Sequence, residues 1–595
     1  MTEHQNRLSR FWQELKRRRV VHVVTVYASA AFVIIELIGN LSEPLNLPAA
    51  LSTIVIIILA VGFPLAIVLS WLYDLTAGTI VRTKSAKDLP EKETVQVPNA
   101  WKIATYISFI VIAGLIALNI ASRTDLIKSG MIQAVAVLPF SNYTGDDRLD
   151  YVADGMHASL ITDIGKVRAL RVTGETSSKA YRNTDKSAPV IGEELRVDLL
   201  IEPTLTCYGD TVCVLIRGVT TTKEEKLILS REYRVARKEI LSFYPRVVKE
   251  ISREIKVELS PEEMRLLSNS RMVDGGAYDA YLKARSYVNE FSKESLFQAR
   301  EYLNSAIEKE PDWAPLYTVL AELWLNIQLA GYEPPAVAGP KILENLNKAL
   351  ELDPDIAEAQ YLKALFAQWV DWDWEKSEKA FLKALAINPS DSWTRLFYAQ
   401  LLLILQRNDE AEAHIELAAG LDPFNDETKL LYSGTLVQAG NPEAALPVAE
   451  ELLAKDSTNM NANSMMEIAA YNLGEYDKVI KALRYSLPFP IVENGYEEVV
   501  RVYNEAGIVS AYEELLKHME KYAEKSYVGF LDMSSRYIMA NQPNKAMDWI
   551  EKGFEQRDAQ LGYIVASGRK FEPLYDNPRF MAICKKANLP LPAAN

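Results

Sequence analysis

The chain is poor in the residues that usually carry chemistry. Its 595 residues include three cysteines, Cys207, Cys213 and Cys584. That is too few for a disulfide framework, and none forms the paired CxxC unit of a structural zinc site. Five histidines leave little material for a metal centre. A GxxxxGK[ST] phosphate loop, an HExxH pair and a GxSxG elbow are all missing, as is any Cys-His pattern with a recognisable local signature. The sequence therefore reads as non-enzymatic, with no cofactor and no metal. Basic residues are also in deficit: 65 Lys+Arg stand against 79 Asp+Glu, a formal net charge of −14. A phosphate backbone needs the opposite footprint, so no nucleic-acid partner is expected.

What is present is unevenly distributed. Hydrophobic residues make up 49% and charged residues 24%, ordinary for folded protein and too charged for a wholly membrane-embedded one. The length exceeds what one hydrophobic core supports, so several units are expected. Residues 20–38 (VVHVVTVYASAAFVIIELI), 54–72 (IVIIILAVGFPLAIVLSWL) and 103–121 (IATYISFIVIAGLIALNIA) are each long enough to cross about 30 Å of hydrocarbon. They predict a three-helix transmembrane anchor over 20–122. His22 and Glu36 lie near the ends of the first stretch and read as packing between helices or as a proton relay. Gly62 and Pro64 predict a kink in the second, and Trp71, Tyr73, Trp101 and Tyr106 stand where interfacial aromatics belong. Arg7, Arg10, Lys16, Arg17, Arg18 and Arg19 precede the first stretch, 41–50 has no basic residue, and 74–100 carries Arg82, Lys84, Lys87 and Lys92. By the positive-inside rule the basic amino terminus 1–19 and the loop 74–100 are cytoplasmic. The run at 16–19 serves as a topology determinant or as a patch for anionic lipid. The expected location is a multi-pass inner membrane, with the lipid bilayer as a partner and everything after 122 outside the cytoplasm, in a Gram-negative cell the periplasm.

Residues 132–258 then change to an α/β pattern. Strand signals at 134–140, 170–173, 197–202, 204–217 and 227–235 alternate with helical spacing at 151–167, 190–195 and 240–257. Gly209-Asp210 inside TLTCYGDTVCVLIR is a hairpin signal. With a three-residue loop, 209–211, Cys207 and Cys213 face each other; with a two-residue turn they are offset by one. A disulfide and two buried unpaired thiols both remain open. Asp146, Asp147 and Asp150 read as a solvated loop capping the next helix, or as a cation site.

The run AVLPFSNYTGDDRLDYVADGMHASLITDI, with LRVTGETSSKAYR and IGEELRVDLLIE after it, resembles the TolB amino-terminal-like (FlgO-like) domain that precedes tetratricopeptide repeats in many bacterial membrane proteins. The segments FWQELKRRRVVHVVTVYASAAFVIIEL and GFPLAIVLSWLYDLTAGTIVRT resemble the membrane anchor of the same proteins. The resemblance implies an interaction module over 132–258. It departs at Pro203, where that family usually has glycine, so the entry to the hairpin is expected to differ. Some members carry a class III cyclase or a winged-helix domain ahead of the anchor. With about 19 residues there, the resemblance implies neither activity here.

From 278 to 595 the chain reads as an all-α tetratricopeptide (TPR) solenoid with a capping carboxy terminus. Pro311, Pro354, Pro389 and Pro423 recur at separations of 43, 35 and 34 residues, and Ser457 continues the series. Five residues before each proline stands an alanine: Ala306, Ala349, Ala384 and Ala418. Small residues belong where two helices touch, and proline closes the second helix of a pair. The wider first gap predicts an insertion at 331–339. Trp369, Trp372 and Trp374 read as interhelical packing or as a ligand groove. The whole is a multi-domain architecture of three-helix anchor, small α/β domain and helical solenoid. The expected function is a scaffold, part of an envelope complex, that binds protein partners in the concave TPR groove as a homo- or hetero-oligomer. The alternative is a sensor that passes a signal to a separate cytoplasmic protein.

Overall fold

Alternating burial in the first described strand sets the α/β part. Val135 and Val137 face one core and Ala134 and Ala136 the other, as a strand covered on both faces requires. The computed structural model describes residues 132–590, apart from 269–270, 331, 488–494, 527 and 567. Before them it describes Tyr27, Ala30, Ala31, Ile34, Leu59, Phe63, 73–76 and 79–82. The chain divides into two units, Met1–Ser129 and Gly130–Asn595.

In the first unit Tyr73–Thr76 pairs antiparallel with Thr79–Arg82, and the Tyr27 hydroxyl donates to the Leu59 carbonyl at 2.8 Å. The expected location requires correction. The stretches 20–38, 54–72 and 103–121 lie almost wholly outside the described residues, and among those described no helix is long and apolar enough to cross a membrane. The longest, Pro335–Leu352 with 18 residues, carries Lys341, Glu344, Lys348 and Glu351, each too costly to leave in hydrocarbon. The multi-pass inner-membrane location, and the cytoplasmic and periplasmic assignments drawn from it, are therefore overturned.

The second unit opens with an α/β layer: β1 (Ala134–Val137), β2 (Ser141–Asn142), α1 (Asp150–Ile164), β3 (Arg171–Val172), α2 (Glu175–Lys179), α3 (Ala188–Leu195), β4 (Leu199–Tyr208), β5 (Thr211–Thr220), β6 (Leu227–Ala236) and α4 (Phe243–Glu254). The sheet order is β3-β1-β4-β5-β6, with β2 also on β4. β1 runs parallel to β3 and β4, whereas β4, β5 and β6 form an antiparallel meander. Pro203 sits inside β4 without harm. Ile201 and Leu205 turn their carbonyls to β1 and β2, accepting from Leu138 and Tyr143, so by alternation Pro203 turns its missing N–H to the gap between those strands. Cys207 lies opposite Cys213, with the sulfurs 2.13 Å apart. A bulge between Leu205 and Cys207 shifts the register there, so both hairpin registers weighed from sequence occur in one ribbon. Asp146 caps a short 3-10 turn by accepting from the Arg148 N–H at 3.0 Å. The Asp150 carboxylate accepts from Asn142 at 2.8 Å.

After the linking helix α5 (Pro261–Leu266) come paired helices: α6 (Gly275–Glu290) with α7 (Lys293–Lys309), α8 (Ala314–Leu329) with α9 (Pro335–Leu352), α10 (Ala357–Phe366) with α11 (Trp374–Ile387), α12 (Ser392–Ile404) with α13 (Asn408–Leu421), α14 (Asp426–Gln438) with α15 (Pro442–Lys455), and α16 (Met460–Asn472) with α17 (Tyr476–Leu483). This is a TPR-like helical solenoid. Ala306, Ala349, Ala384 and Ala418 are all buried on second helices, letting the backbones approach. Pro311, Pro354, Pro389 and Pro423 lie just past the ends of those helices, and the insertion falls in the connection into α9. First helices end on a left-handed residue whose spacing is itself the repeat: Trp372, Gln406, Gly440 and Gly474, with φ of 54°, 59°, 86° and 74°. Such a residue reverses the chain and satisfies terminal carbonyls. The Arg407 N–H, for example, reaches the Leu402 carbonyl at 2.8 Å.

The solenoid continues through α18 (Tyr496–Ala506), α19 (Ile508–Ala523), α20 (Phe530–Met539) and α21 (Pro543–Glu555) to the short α22 (Tyr563–Ala566), a 3-10 segment (Gly568–Leu574) and α23 (Pro578–Lys586). That last part turns back onto the third and fourth helix pairs. Tyr563 donates to Gln400 at 2.6 Å, Trp374 donates its indole N–H to the Ala587 carbonyl at 3.1 Å, and Trp372 packs on Phe554, ring centroids 5.7 Å apart. Trp369 stacks edge-on against Phe397 at 5.6 Å. All three tryptophans thus lie in packing contacts.

Candidate functional site

The site is built where the α/β layer meets the solenoid. Four glycines set the approach, because a Cβ on any of them would strike the other side. Such a Cβ would stand 2.5 Å from Leu282 at Gly155, from Asn388 at Gly165 and from Asp422 at Gly174, and 2.4 Å from Arg237 at Gly275. The solenoid presents the turns that join one helix pair to the next as a row of posts. At the first, reached by the linking segment and not by the layer itself, Glu310 accepts from Arg271 and from the Asp274 N–H (2.7 Å). At the second, Asp355 accepts from Arg265 at 2.6 Å. At the third, the Ser390 hydroxyl accepts from the Val172 N–H (3.1 Å) and donates to the Leu170 carbonyl (3.2 Å), closing the open edge of β3. At the fourth, buried Asp422 accepts from the N–H and hydroxyl of Ser177, and Gly174 donates to the Leu421 carbonyl at 2.7 Å. The layer occupies one rim of the solenoid, and the returning chain end occupies the rim of the opposite turns.

Between the layer and the first three helix pairs lies a cleft of about 370 Å³. Ser159 and Thr162 line it from α1, Lys166 from the turn after it, Tyr244 from α4, and Tyr281, Arg285, Trp313 and Glu358 from the solenoid. Its floor is aromatic: Tyr281 and Trp313 are 4.9 Å apart between ring centroids, and the Tyr244 and Tyr278 hydroxyls share a hydrogen bond of 2.6 Å. Arg285 and Glu358 belong both to this cleft and to the inner wall of the solenoid, where the first helices carry Glu322, Glu358 and Glu427 and Asp391 caps the start of α12. Arg285 is held more firmly protonated than usual, chiefly by Tyr281 and then by Glu322 and Glu358 against the effect of burial. Burial raises the carboxyl pKa of Glu322 and of Asp391, and Glu358 adds repulsion to both. These groups form an acidic wall in low dielectric whose charge is only partly compensated.

The spacing of alanines and prolines placed the helix pairs but not this cleft. Its residues come from α1, α4 and three separate pairs, and nothing local marks them as neighbours. Gly155, Gly165 and Gly174 were a usable signal: three glycines in and beside a predicted helix and strand ask for a close partner. Cys207 and Cys213 stand at the far tip of the β4–β5 hairpin, outside the cleft lining. Among the described residues no group of three or more His, Cys, Asp or Glu is placed to hold a metal ion.

No family model matches the chain. A Rhizobium meliloti (strain 1021) protein named "Putative adenylate cyclase 3" is 26% identical over 240 residues, 40% of this chain and 40% of that one, so the match spans well under half of either. Three solved structures are each 16% identical to the chain. Pseudomonas aeruginosa pilF matches 42% of this chain and 100% of its own, with a TM-score of 0.28. Yeast Tom70 matches 52% and 67% (0.31), and a tetratricopeptide repeat protein from Parabacteroides merdae matches 53% and 93% (0.22). At such TM-scores the superposition is partial, and the repeat architecture here rests on the helix pairs themselves.

Proposed function

We propose that the chain is a non-catalytic scaffold that holds a segment of a protein partner against the inner wall of its solenoid, admitted through the cleft shared with the α/β layer. The observation that carries this reading is the continuity of the two through Arg285 and Glu358. Both rims are occupied by the chain itself, so the cleft is the way in. The wall carboxylates Glu322, Glu358, Asp391 and Glu427 favour a segment bearing lysine or arginine, in keeping with the net charge of −14. Aromatic rings at the mouth supply the apolar anchoring that peptide grooves need. The α/β layer, whose sequence resembles TolB amino-terminal-like domains, forms one side of the entrance and fixes its width. The activity named for the Rhizobium relative stays with that relative, since 40% of each chain is shared.

The test is site-specific photocrosslinking in cells with a benzophenone amino acid in place of Tyr281 and, as control, of the exposed Leu382. The Tyr281 probe is expected to capture a lysine- or arginine-bearing segment of another protein, and Glu322→Lys with Glu358→Lys to abolish the capture. Equal capture at Leu382, or crosslinks only within the chain, would overturn the reading.

A further inference from the structure

Away from the cleft, a pocket of about 430 Å³ opens between the ends of α16 and α20 and the 3-10 segment near the carboxy terminus. Tyr471, Asn472, Ile538, Met539, Lys570, Glu572 and Pro573 line it. Its walls are mainly apolar, and an amine stands among them. The two carboxylates that bear on Lys570 are already taken. Glu467, buried to 1% exposure, accepts from Ser486 (2.8 Å), Tyr512 (3.1 Å) and Arg536 (2.9 Å), and Asp532 accepts from Arg536 at 3.2 Å. Arg536 has won both counter-ions, and Lys570 has no hydrogen bond or ion pair among the described residues. Burial, and after it the like charge of Arg536, pushes the Lys570 ammonium down to about 8. At pH 7 a far larger fraction of this amine is therefore neutral and nucleophilic than of an ordinary lysine near 10.4.

We propose that Lys570 is a covalent acylation site whose pocket accepts an apolar acyl chain carried on a thioester. The Nζ lone pair attacks the thioester carbonyl, the C–N bond forms as the C–S bond breaks, and the thiolate leaves with the proton lost from nitrogen. No oxidant or reductant is required. Ile538, Met539 and Pro573 give the chain an apolar bed, and Asn472, whose Nδ2 already donates to the Ile468 carbonyl at 2.8 Å, keeps its second N–H for the carbonyl oxygen.

The full chain would be incubated at pH 7.5 with octanoyl and, separately, acetyl thioesters of N-acetylcysteamine, and modified lysines mapped by mass spectrometry over time. Lys570 is expected to react at least tenfold faster than exposed lysines such as Lys223 and Lys525, to prefer octanoyl, and to reach half its maximal rate near pH 8. Lys570→Arg keeps the cation and should remove that one site while leaving the circular dichroism spectrum unchanged. Reaction no faster than at Lys223 overturns the activated amine. Equal rates for acetyl and octanoyl overturn the acyl pocket.

Discussion

Asp422 and Gly174 show how much of the architecture rests on single contacts. Asp422 is 2% exposed and takes hydrogen bonds from Ser177 and from Asn425 (2.9 Å), and Gly174 has no room for a methyl group beside it. Gly174→Ala should therefore destabilise by about 1–3 kcal/mol through overpacking, seen as a lower urea midpoint. Gly209→Ala, where nothing lies within 4 Å, should change it by under about 0.5 kcal/mol. His414 supplies a pH dependence. Burial, then Arg395, lowers its pKa to about 4 from the usual 6.5, so between those values the unfolded chain binds the proton and the folded chain does not. Stability is complete above pH 6.5 and falls as pH drops toward 4. His157, buried and lowered for the same first reason, acts in the same direction. His414→Gln should flatten the curve of melting temperature against pH in that window. A variant as steep as the parent chain would remove His414 as its source.

At the scale of elements, the repeat was legible because its geometry is enforced by residue size: alanine at the helix contact, proline past the helix end. The left-handed residue that reverses each pair was not, since Trp372 and Gln406 occupy two of the four positions and only Gly440 and Gly474 advertise the conformation. Gln406 is exposed and sits at φ 59°, a strained choice for a residue with a Cβ. Gln406→Gly should raise stability by about 0.5–1 kcal/mol in a denaturant titration. A loss would mean that its side chain makes a contact that offsets the strain. In the α/β layer the alternation of Val135 and Val137 with Ala134 and Ala136 was readable. β2 and α2 carry no such signal, because two and five residues are too short to show a period. The sequence signals divide β4 at Pro203, whose missing N–H faces a gap that sequence cannot reveal.

At the scale of the whole second unit, the interdomain row of contacts predicts joint behaviour. Hydrogen exchange should protect Val172 and the β3 edge as well as the solenoid core, since Ser390 covers that edge. The return of the chain end onto Trp374 and Gln400 makes a further prediction. Stopping the chain after Glu555 should increase exchange in 372–404, distant in sequence, more than in 275–309. Uniform change across the pairs, or none, would show that the end is dispensable to them.

That return also changes the mechanics of the array. An open stack of helix pairs behaves as a spring: it stretches, twists and frays from its free end, and each junction responds to its neighbours alone. With the last segment seated across the opposite turns of the third and fourth pairs, the coil becomes a buckled belt. Under the proposed function the buckle would hold the inner wall at one width, so a guest would match that width instead of inducing it. Little coiling entropy is then lost on capture, and the guest's release should follow the opening of the buckle.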